Sequence, residues 1–280
     1  MKHIKVLLAL SLAAVGLAGC QTEVTTGEPA QARAVKPAEG SATATAKATA
    51  KASAKASANA LPPAEALKAA VKALDTTAYN FGIKAGPVTG GGRIDPATKS
   101  ANMQLAGKVE TLDISMAYIV IAPDLWFRGD FGDELNKHWG LQPGAWLLID
   151  KTKLTSTASL PIDDAGAPEL GVTELFKDGL AAVERTDATH FTGTVDMTLA
   201  NSILAPSEST LKDAGTKAKE VPFIATTDSQ GRLISFKIDG AGIDANLSME
   251  LTFTGFGSIQ PVTKPSNATK APDSVYDLLN

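Results

Sequence analysis

Leu112-Asp-Ile-Ser-Met-Ala-Tyr-Ile-Val120 is the stretch that decides the fold of this chain of 280 residues. Its apolar side chains occupy every second position, and this period of two is typical of a strand with one buried face. Turn signals such as Gly90-Gly91-Gly92 and Asp95-Pro96 separate it from its neighbours. The same pattern predicts about ten strands in all, in residues 79–83, 101–105, 112–120, 125–128, 146–149, 191–199, 221–227, 233–239 and 247–253.

Helical periodicity is confined to a few segments. Leu67, Val71 and Leu74 are spaced at i, i+4 and i+7 after two prolines, which predicts an amphipathic helix over 63–74. Further helices are predicted over 168–183, 207–217 and 275–279. Because so few helices must cover one apolar face of many antiparallel strands, we predict an α+β fold. In it, a large curved antiparallel β-sheet, a half-barrel, wraps around a few α-helices.

The N-terminus predicts where the protein works. A basic start with Lys2 and Lys5 precedes an apolar run of about a dozen residues, which is the pattern of a secretory signal peptide. It ends in Leu17-Ala18-Gly19-Cys20, the form of a bacterial lipobox, and Cys20 is the only cysteine. We predict a lipoprotein signal peptide over 1–19 and acylation of Cys20, which anchors the protein through membrane lipid at the outer face of the bacterial cell membrane.

The next segment differs in composition from the rest. Residues 20–62 are rich in Ala, Thr and Lys and contain few large apolar side chains. Such a segment cannot offset its ordering entropy, so we predict a disordered tether after the lipidated cysteine. Residues 63–280 form the predicted single domain, and their 19 basic and 27 acidic side chains give a net charge of −8. This acidic balance argues against nucleic-acid binding.

Motifs for catalysis and for metal binding are weak or missing in the sequence. Ser209 and Lys212 match Ser-x-x-Lys without the companion motifs of penicillin-binding enzymes. His138 and His190 have no metal-ligand spacing, and Asp239–Asp244 lacks the spacing of a calcium loop. Gly90-Gly91-Gly92 is not followed by the Gly-Lys-Ser/Thr of a phosphate loop. We therefore predict no enzyme activity, no catalytic residues, no metal and no cofactor.

The layout resembles the actinobacterial envelope lipoproteins of the LppX/LprG type, which are related in fold to the carriers LolA and LolB. The resemblance covers roughly residues 63–265 and rests on the order of short features. These are the lipobox with Cys20, the low-complexity spacer, the helix before Tyr79–Gly82, and the runs Asp124–Arg128, Phe191–Asp196, Val221–Ala225, Asp228–Leu233 and Phe256–Val262. The resemblance implies a half-barrel that encloses helices, with a hydrophobic cavity for acylated lipids.

Two functions remain open at this point. The first is a lipid carrier that binds an acylated lipid between sheet and helices. The second is an envelope scaffold, sensor or interaction lipoprotein without lipid cargo, and a packed cavity would favour it. For the carrier, we predict that the cavity is lined by apolar residues of the strands: Phe81, Ile83, Met103, Leu105, Leu112, Ile114, Met116, Tyr118, Trp126, Val195, Met197, Phe236, Leu247, Met249 and Leu251.

Overall fold

A computed structural model describes residues 61–109, 111–157 and 160–280. The predicted signal peptide, the lipobox with Cys20 and all but the last two residues of the tether lie outside the described residues. The chain is α+β, as predicted, and has five described α-helices and twelve described strands. In chain order the elements are α1 Pro63–Lys72, β1 Tyr79–Ala85, β2 Val88–Asp95, β3 Ser100–Val109, β4 Leu112–Ile121, β5 Asp124–Asp130, α2 Asp133–Trp139, β6 Leu147–Ile149, α3 Val172–Asp178, β7 Leu180–Arg185, β8 His190–Val195, α4 Glu208–Ala214, β9 Val221–Thr227, β10 Leu233–Ile238, β11 Met249–Thr254, β12 Thr269–Lys270 and α5 Asp273–Leu279.

All twelve strands belong to one large sheet in the order β12-β6-β5-β4-β3-β2-β1-β11-β10-β9-β8-β7. Neighbouring strands are antiparallel except β12, which runs parallel to β6. The long hairpin of β3 and β4 pairs Met103 with Tyr118 and Leu105 with Met116. Thus β12 and β7 form the two edges of the sheet.

The two faces of the sheet differ in what covers them. One face, which we call the core face, carries the apolar side chains that alternate along the strands, such as Phe81, Phe236 and Leu251. These side chains belong to a single buried cluster that also contains Leu67 of α1 and Leu175 of α3. Burial of this apolar area supplies the main driving force for folding.

The helices pack at separate places on the core face. Helix α1 is amphipathic, with Leu67, Ala70 and Val71 buried, and it contacts α3, β7 and β10. Helices α2 and α5 contact each other beside β6. There, the backbone N–H of Asp150 donates to Tyr276 Oη at 2.8 Å, which ties the C-terminal helix to the end of β6.

The opposite face is crossed by a loop. Residues 255–268, which we call the strap, connect β11 to β12, and these two strands stand seven places apart in the sheet. At about 4.8 Å per strand spacing the strap must span about 34 Å. A chain of fourteen residues extends to about 46 Å. The strap is therefore long enough to cross the six strands between β11 and β12, and we call this side of the sheet the strap face.

Several segments differ from the sequence-based prediction. Gly90-Gly91-Gly92 lies in the middle of β2 rather than in a turn. Gly90 stands on the core face between Ile83 and Leu105, and Gly92 stands there between Phe81 and Met103. A side chain at either glycine would collide with the backbone of β3. These positions therefore leave no apolar alternation for a sequence pattern to detect.

The middle of the chain also departs from the prediction. The helix predicted over 168–183 is the short α3, which ends before Gly179 and is followed directly by β7. The strands predicted over 191–199 and 247–253 are shorter. Met197 and Leu247 belong to single 3-10 turns, which Asp196 and Asp244 cap by accepting the backbone N–H two residues ahead. The local Asp hydrogen bond competes with the sheet ladder at both places.

Candidate functional site

The predicted lining residues lie mainly on the core face. Twelve of the fifteen stand there in strands, as the register of the sheet shows. Most of the twelve are buried, and the half-buried ones are Leu105, Leu112, Met116 and Met249. Val195, Phe236 and Leu251 are 0% exposed, so the middle of this face is packed. Met197 and Leu247 are buried in their 3-10 turns rather than in strands.

Trp126 occupies a different place from the one predicted for it. In the β4–β5 register Phe127 is opposite Tyr118, whereas Trp126 is opposite Ile119. Because successive side chains of a strand point to opposite faces, Trp126 lies on the strap face. It is 1% exposed yet does not belong to the core cluster. The Nζ of Lys264 in the strap stands 5.3 Å from the centre of its ring, so the strap contributes to its burial.

A cavity of about 250 Å³ lies at one end of the core face, between the sheet and the segments that lead into α3. Tyr79 and Ile94, which are paired across β1 and β2, form its sheet side. Leu74, just after α1, together with Leu170 and Val172 forms the opposite side. These five side chains are buried and largely apolar, so the inner wall of the cavity is apolar. The turn between β2 and β3 and residues 167–169 complete the lining.

The mouth of the cavity is acidic. Asp75 and Glu169 line it, and Lys99 is the basic side chain in the lining. Burial, and then repulsion by Glu174 and other nearby carboxylates, raises the pKa of Glu169 above its usual value. Burial, and then the charge of Asp75, likewise raises the pKa of the Tyr79 phenol. Both shifts indicate a mouth that disfavours additional negative charge.

One side-chain hydrogen bond ties the two sides of the mouth together. Thr173 Oγ1 in α3 donates to Asp75 Oδ1 at 3.0 Å. Asp75 ends the 3-10 turn that follows α1, so this bond connects the two helical segments at the opening. It is exposed to solvent, where a hydrogen bond contributes little net free energy. This bond therefore contributes little to holding the two sides of the mouth together.

The cavity residues were not among those singled out from the sequence. Tyr79 stands in the same alternation as Phe81, which is the signal that could have identified it. Leu74 and Asp75 follow helix α1, and the other contributors come from residues 94–99 and 167–173. Local periodicity does not predict that these segments meet.

The residues of the weaker sequence motifs lie in a turn and in short helices. His190 Nδ1 lies 2.8 Å from Asp187 Oδ2 in the exposed β7–β8 turn, where backbone N–H groups and His190 lower the pKa of Asp187. His138 and Trp139 are in α2, and Trp139 packs edge-on against Phe131. Ser209 follows the Ser207 cap of α4. No group of three or more His, Cys, Asp or Glu in the described part of the chain is placed to hold a metal ion.

No protein-family model matches the chain, and no curated protein matches it. Within residues 61–109, 111–157 and 160–280, no helix has both the length and the apolar character needed to span a bilayer.

Proposed function

We propose that this protein is a lipoprotein of the bacterial cell envelope that binds the apolar part of an acylated lipid between its sheet and its helices. Acylation of Cys20 anchors it to the outer face of the cell membrane, and the tether holds residues 63–280 away from that surface. In this proposal the sheet wraps around the helices as a half-barrel, as the LppX/LprG resemblance implies. The protein acts by binding and transfer, without catalysis.

The cavity between Tyr79 and Val172 is the observation that carries the proposal. Its apolar inner part suits an acyl chain, and its polar mouth suits the head group that remains in water. Its volume of about 250 Å³ is slightly below the ~300–1,000 Å³ of ordinary ligand sites. One chain end therefore fits before any movement, and a longer chain requires the mouth to open at the Asp75–Thr173 bond.

The test uses the full chain carrying Cys20→Ser, which removes the predicted acylation thiol. Organic extraction of the purified protein followed by mass spectrometry is expected to recover an acylated lipid. Titration with a fluorescent fatty acid is expected to show saturable binding. Ala167→Phe places a ring in the lining of the cavity and should weaken probe binding about tenfold or more, since it removes the space that the chain occupies.

Ala165→Phe is the matched control because Ala165 lies in the same loop but is exposed and does not line the cavity. It should leave probe binding within about twofold of the parent, as expected for a surface substitution away from the site. A parent protein that carries no lipid and binds no probe contradicts the carrier function.

The packing of the core face favours a second candidate function, an envelope scaffold or interaction protein without lipid cargo. Side chains predicted to line a large cavity, such as Phe236 and Leu251, are completely buried by protein atoms instead. An empty extract together with a stoichiometric protein partner after cross-linking in intact cells would support this second function over the first.

A further inference from the structure

The strap is anchored at its start by Phe256, which packs against the core cluster and lies 4.4 Å from the Arg232 guanidinium, and beyond it by a few polar contacts. At its start the backbone N–H of Gly257 donates to Ala78 O at 2.7 Å. In its middle Arg93 Nη2 of β2 donates to the carbonyl oxygen of Pro261 at 3.3 Å. Further on, Lys264 lies over the ring of Trp126 in β5. Most strap residues are exposed, and Val262, between these last two contacts, is half-buried.

A row of side chains lies beneath the strap on adjacent strands. Arg93 in β2 is opposite Asn102 in β3, Asn102 is opposite Ile119 in β4, and Ile119 is opposite Trp126 in β5. The strap follows this row, since its contacts with Arg93 and Trp126 are made by Pro261 and Lys264 in the same order.

The polar atoms of this row are buried without partners. Six buried side-chain nitrogen or oxygen atoms of the described residues have no hydrogen bond, and three of them are Arg93 Nε, Asn102 Oδ1 and Trp126 Nε1. Such atoms are rare in folded proteins, because each costs about 1–3 kcal/mol when it loses water without gaining a partner. Their concentration in one cross-strand row indicates a surface arranged for a ligand that supplies the missing hydrogen bonds.

The chemistry of the row indicates an oxyanion. Arg93 Nε and Trp126 Nε1 are donors that suit the anionic oxygens of a phosphate, and Asn102 Oδ1 is an acceptor that suits a protonated oxygen of the same group. Arg93 and Lys264 belong to none of the ion pairs within the described residues. Neither cation therefore has a described carboxylate oxygen within 4.0 Å, in a domain with a net charge of −8.

We propose that the strap is a displaceable cover over a phosphate-binding site formed by Arg93, Asn102 and Trp126. In the structure the carbonyl oxygen of Pro261 occupies one guanidinium N–H, in the place that a phosphate oxygen takes when the strap lifts. Guanidinium groups bind phosphate in bidentate geometry, which uses the Nε that the strap leaves unpaired. The site lies on the face of the sheet opposite the cavity, so it does not depend on the proposed lipid binding.

Calorimetric titration of the full chain carrying Cys20→Ser with inorganic phosphate tests this site. Saturable binding is expected, and Arg93→Gln should weaken it about tenfold or more, since a charge-assisted hydrogen bond contributes about 1.5–3 kcal/mol. Arg93→Lys keeps the charge but lacks Nε and should also lose affinity. Circular dichroism of both variants verifies that they are folded. Exchange of the Gly257 amide proton, which is bonded to Ala78 O while the strap is in place, should become faster in the parent when phosphate is bound and stay unchanged in Arg93→Gln.

Lys237→Gln is the matched control, because Lys237 is an exposed cation on the strap face of β10, outside the part that the strap crosses. Absence of phosphate binding, equal weakening by Arg93→Gln and Lys237→Gln, or unchanged exchange in the strap would overturn the proposal. Vesicles of phosphatidylcholine with and without phosphatidylglycerol distinguish the sources of the phosphate group. Arg93-dependent binding to the anionic vesicles assigns a lipid head group, and binding of inorganic phosphate alone assigns a soluble phosphate compound.

Discussion

The core face and the strap face of one sheet bury side chains in different ways. On the core face, helices and neighbouring strands enclose the apolar side chains in one cluster, where Phe236 packs against the rings of Phe176 and Phe223 at 4.6 and 5.4 Å. On the strap face, a single segment covers a row that contains both apolar and polar groups. The first arrangement contributes stability through packing, whereas the second leaves hydrogen-bonding groups unpaired.

The two faces also differ in charge. The mouth of the cavity on the core face is rich in carboxylates, and the row under the strap carries Arg93 with Lys264 above it. A ligand that suits one site is therefore disfavoured at the other. The difference shows that one sheet can present two faces that differ in both packing and charge.

The largest expected effect is a difference between two neighbouring residues of β5. Phe127→Ala should lower the free energy of unfolding by about 3–5 kcal/mol, because Phe127 is 0% exposed and its surroundings cannot close the gap. Trp126→Ala removes a larger side chain but should cost only about 1–3 kcal/mol, because the strap can settle into the space. Urea unfolding followed by far-ultraviolet circular dichroism measures both values. Equal losses would show that the strap is as rigid as the core.

A smaller change in the free energy of unfolding is expected when buried polar groups are replaced, one next to the cavity and one under the strap. Ser202 Oγ lies 2.8 Å from Leu160 O and 3.0 Å from Glu169 O, so its hydroxyl holds the loops next to the cavity together. Ser202→Ala should cost about 1–3 kcal/mol, since it leaves buried carbonyl oxygens without a donor. Asn102→Leu should change stability by less than about 1 kcal/mol, because it removes an oxygen that has no partner.

The same urea titrations check this second pair. A large loss for Asn102→Leu would mean that the Asn102 amide contributes hydrogen bonds to the folded chain, which would weaken the argument for a ligand site under the strap. No loss for Ser202→Ala would mean that water replaces the hydroxyl between the two loops.

The sequence predicted the parts of the fold that depend on local periodicity. Alternation in β1 and β4 is visible because both strands carry large apolar side chains at almost every second position. The sequence pattern did not predict strand β2, because glycines occupy its central core-face positions. Helix α2 was also missed, because Leu135 and Trp139 are its only apolar residues, and the buried amide of Asn136 holds it by accepting from Phe131 N–H and donating to Asp130.

The sites depend on contacts that are distant in sequence. Trp126 and Phe127 are both apolar, so the pattern does not reveal which of them faces the core, and only the strap explains how Trp126 is buried. The cavity needs the turn at 94–99 to meet the loop at 167–173, and neither segment has a periodic signal. Local physics therefore predicted most strands, while tertiary contacts determined both candidate sites.

The smallest expected effect concerns the acidic mouth and its dependence on pH. Because burial and the neighbouring carboxylates raise the pKa of Glu169, the folded protein holds this proton more tightly than the unfolded chain does. Stability is therefore lost as pH rises from the ordinary carboxyl value through the raised one. Glu169→Gln cannot ionise, so the free energy of unfolding of the variant relative to the parent should increase between pH 4 and pH 7. Asp130 and Asp187, whose pKa values are lowered, lose stabilisation at more acidic pH, and they do so in both proteins.

Urea unfolding of both proteins at several pH values measures this difference, and Glu134→Gln in α2 removes an equal charge far from the mouth as a control. Parallel stability curves for Glu169→Gln and the parent would contradict the prediction. A neutral side chain at the mouth also relieves the repulsion that an anionic head group meets there. If Glu169→Gln strengthens binding of a fatty acid probe while leaving phosphate binding unchanged, the two faces of the sheet act as independent sites with opposite charge preference.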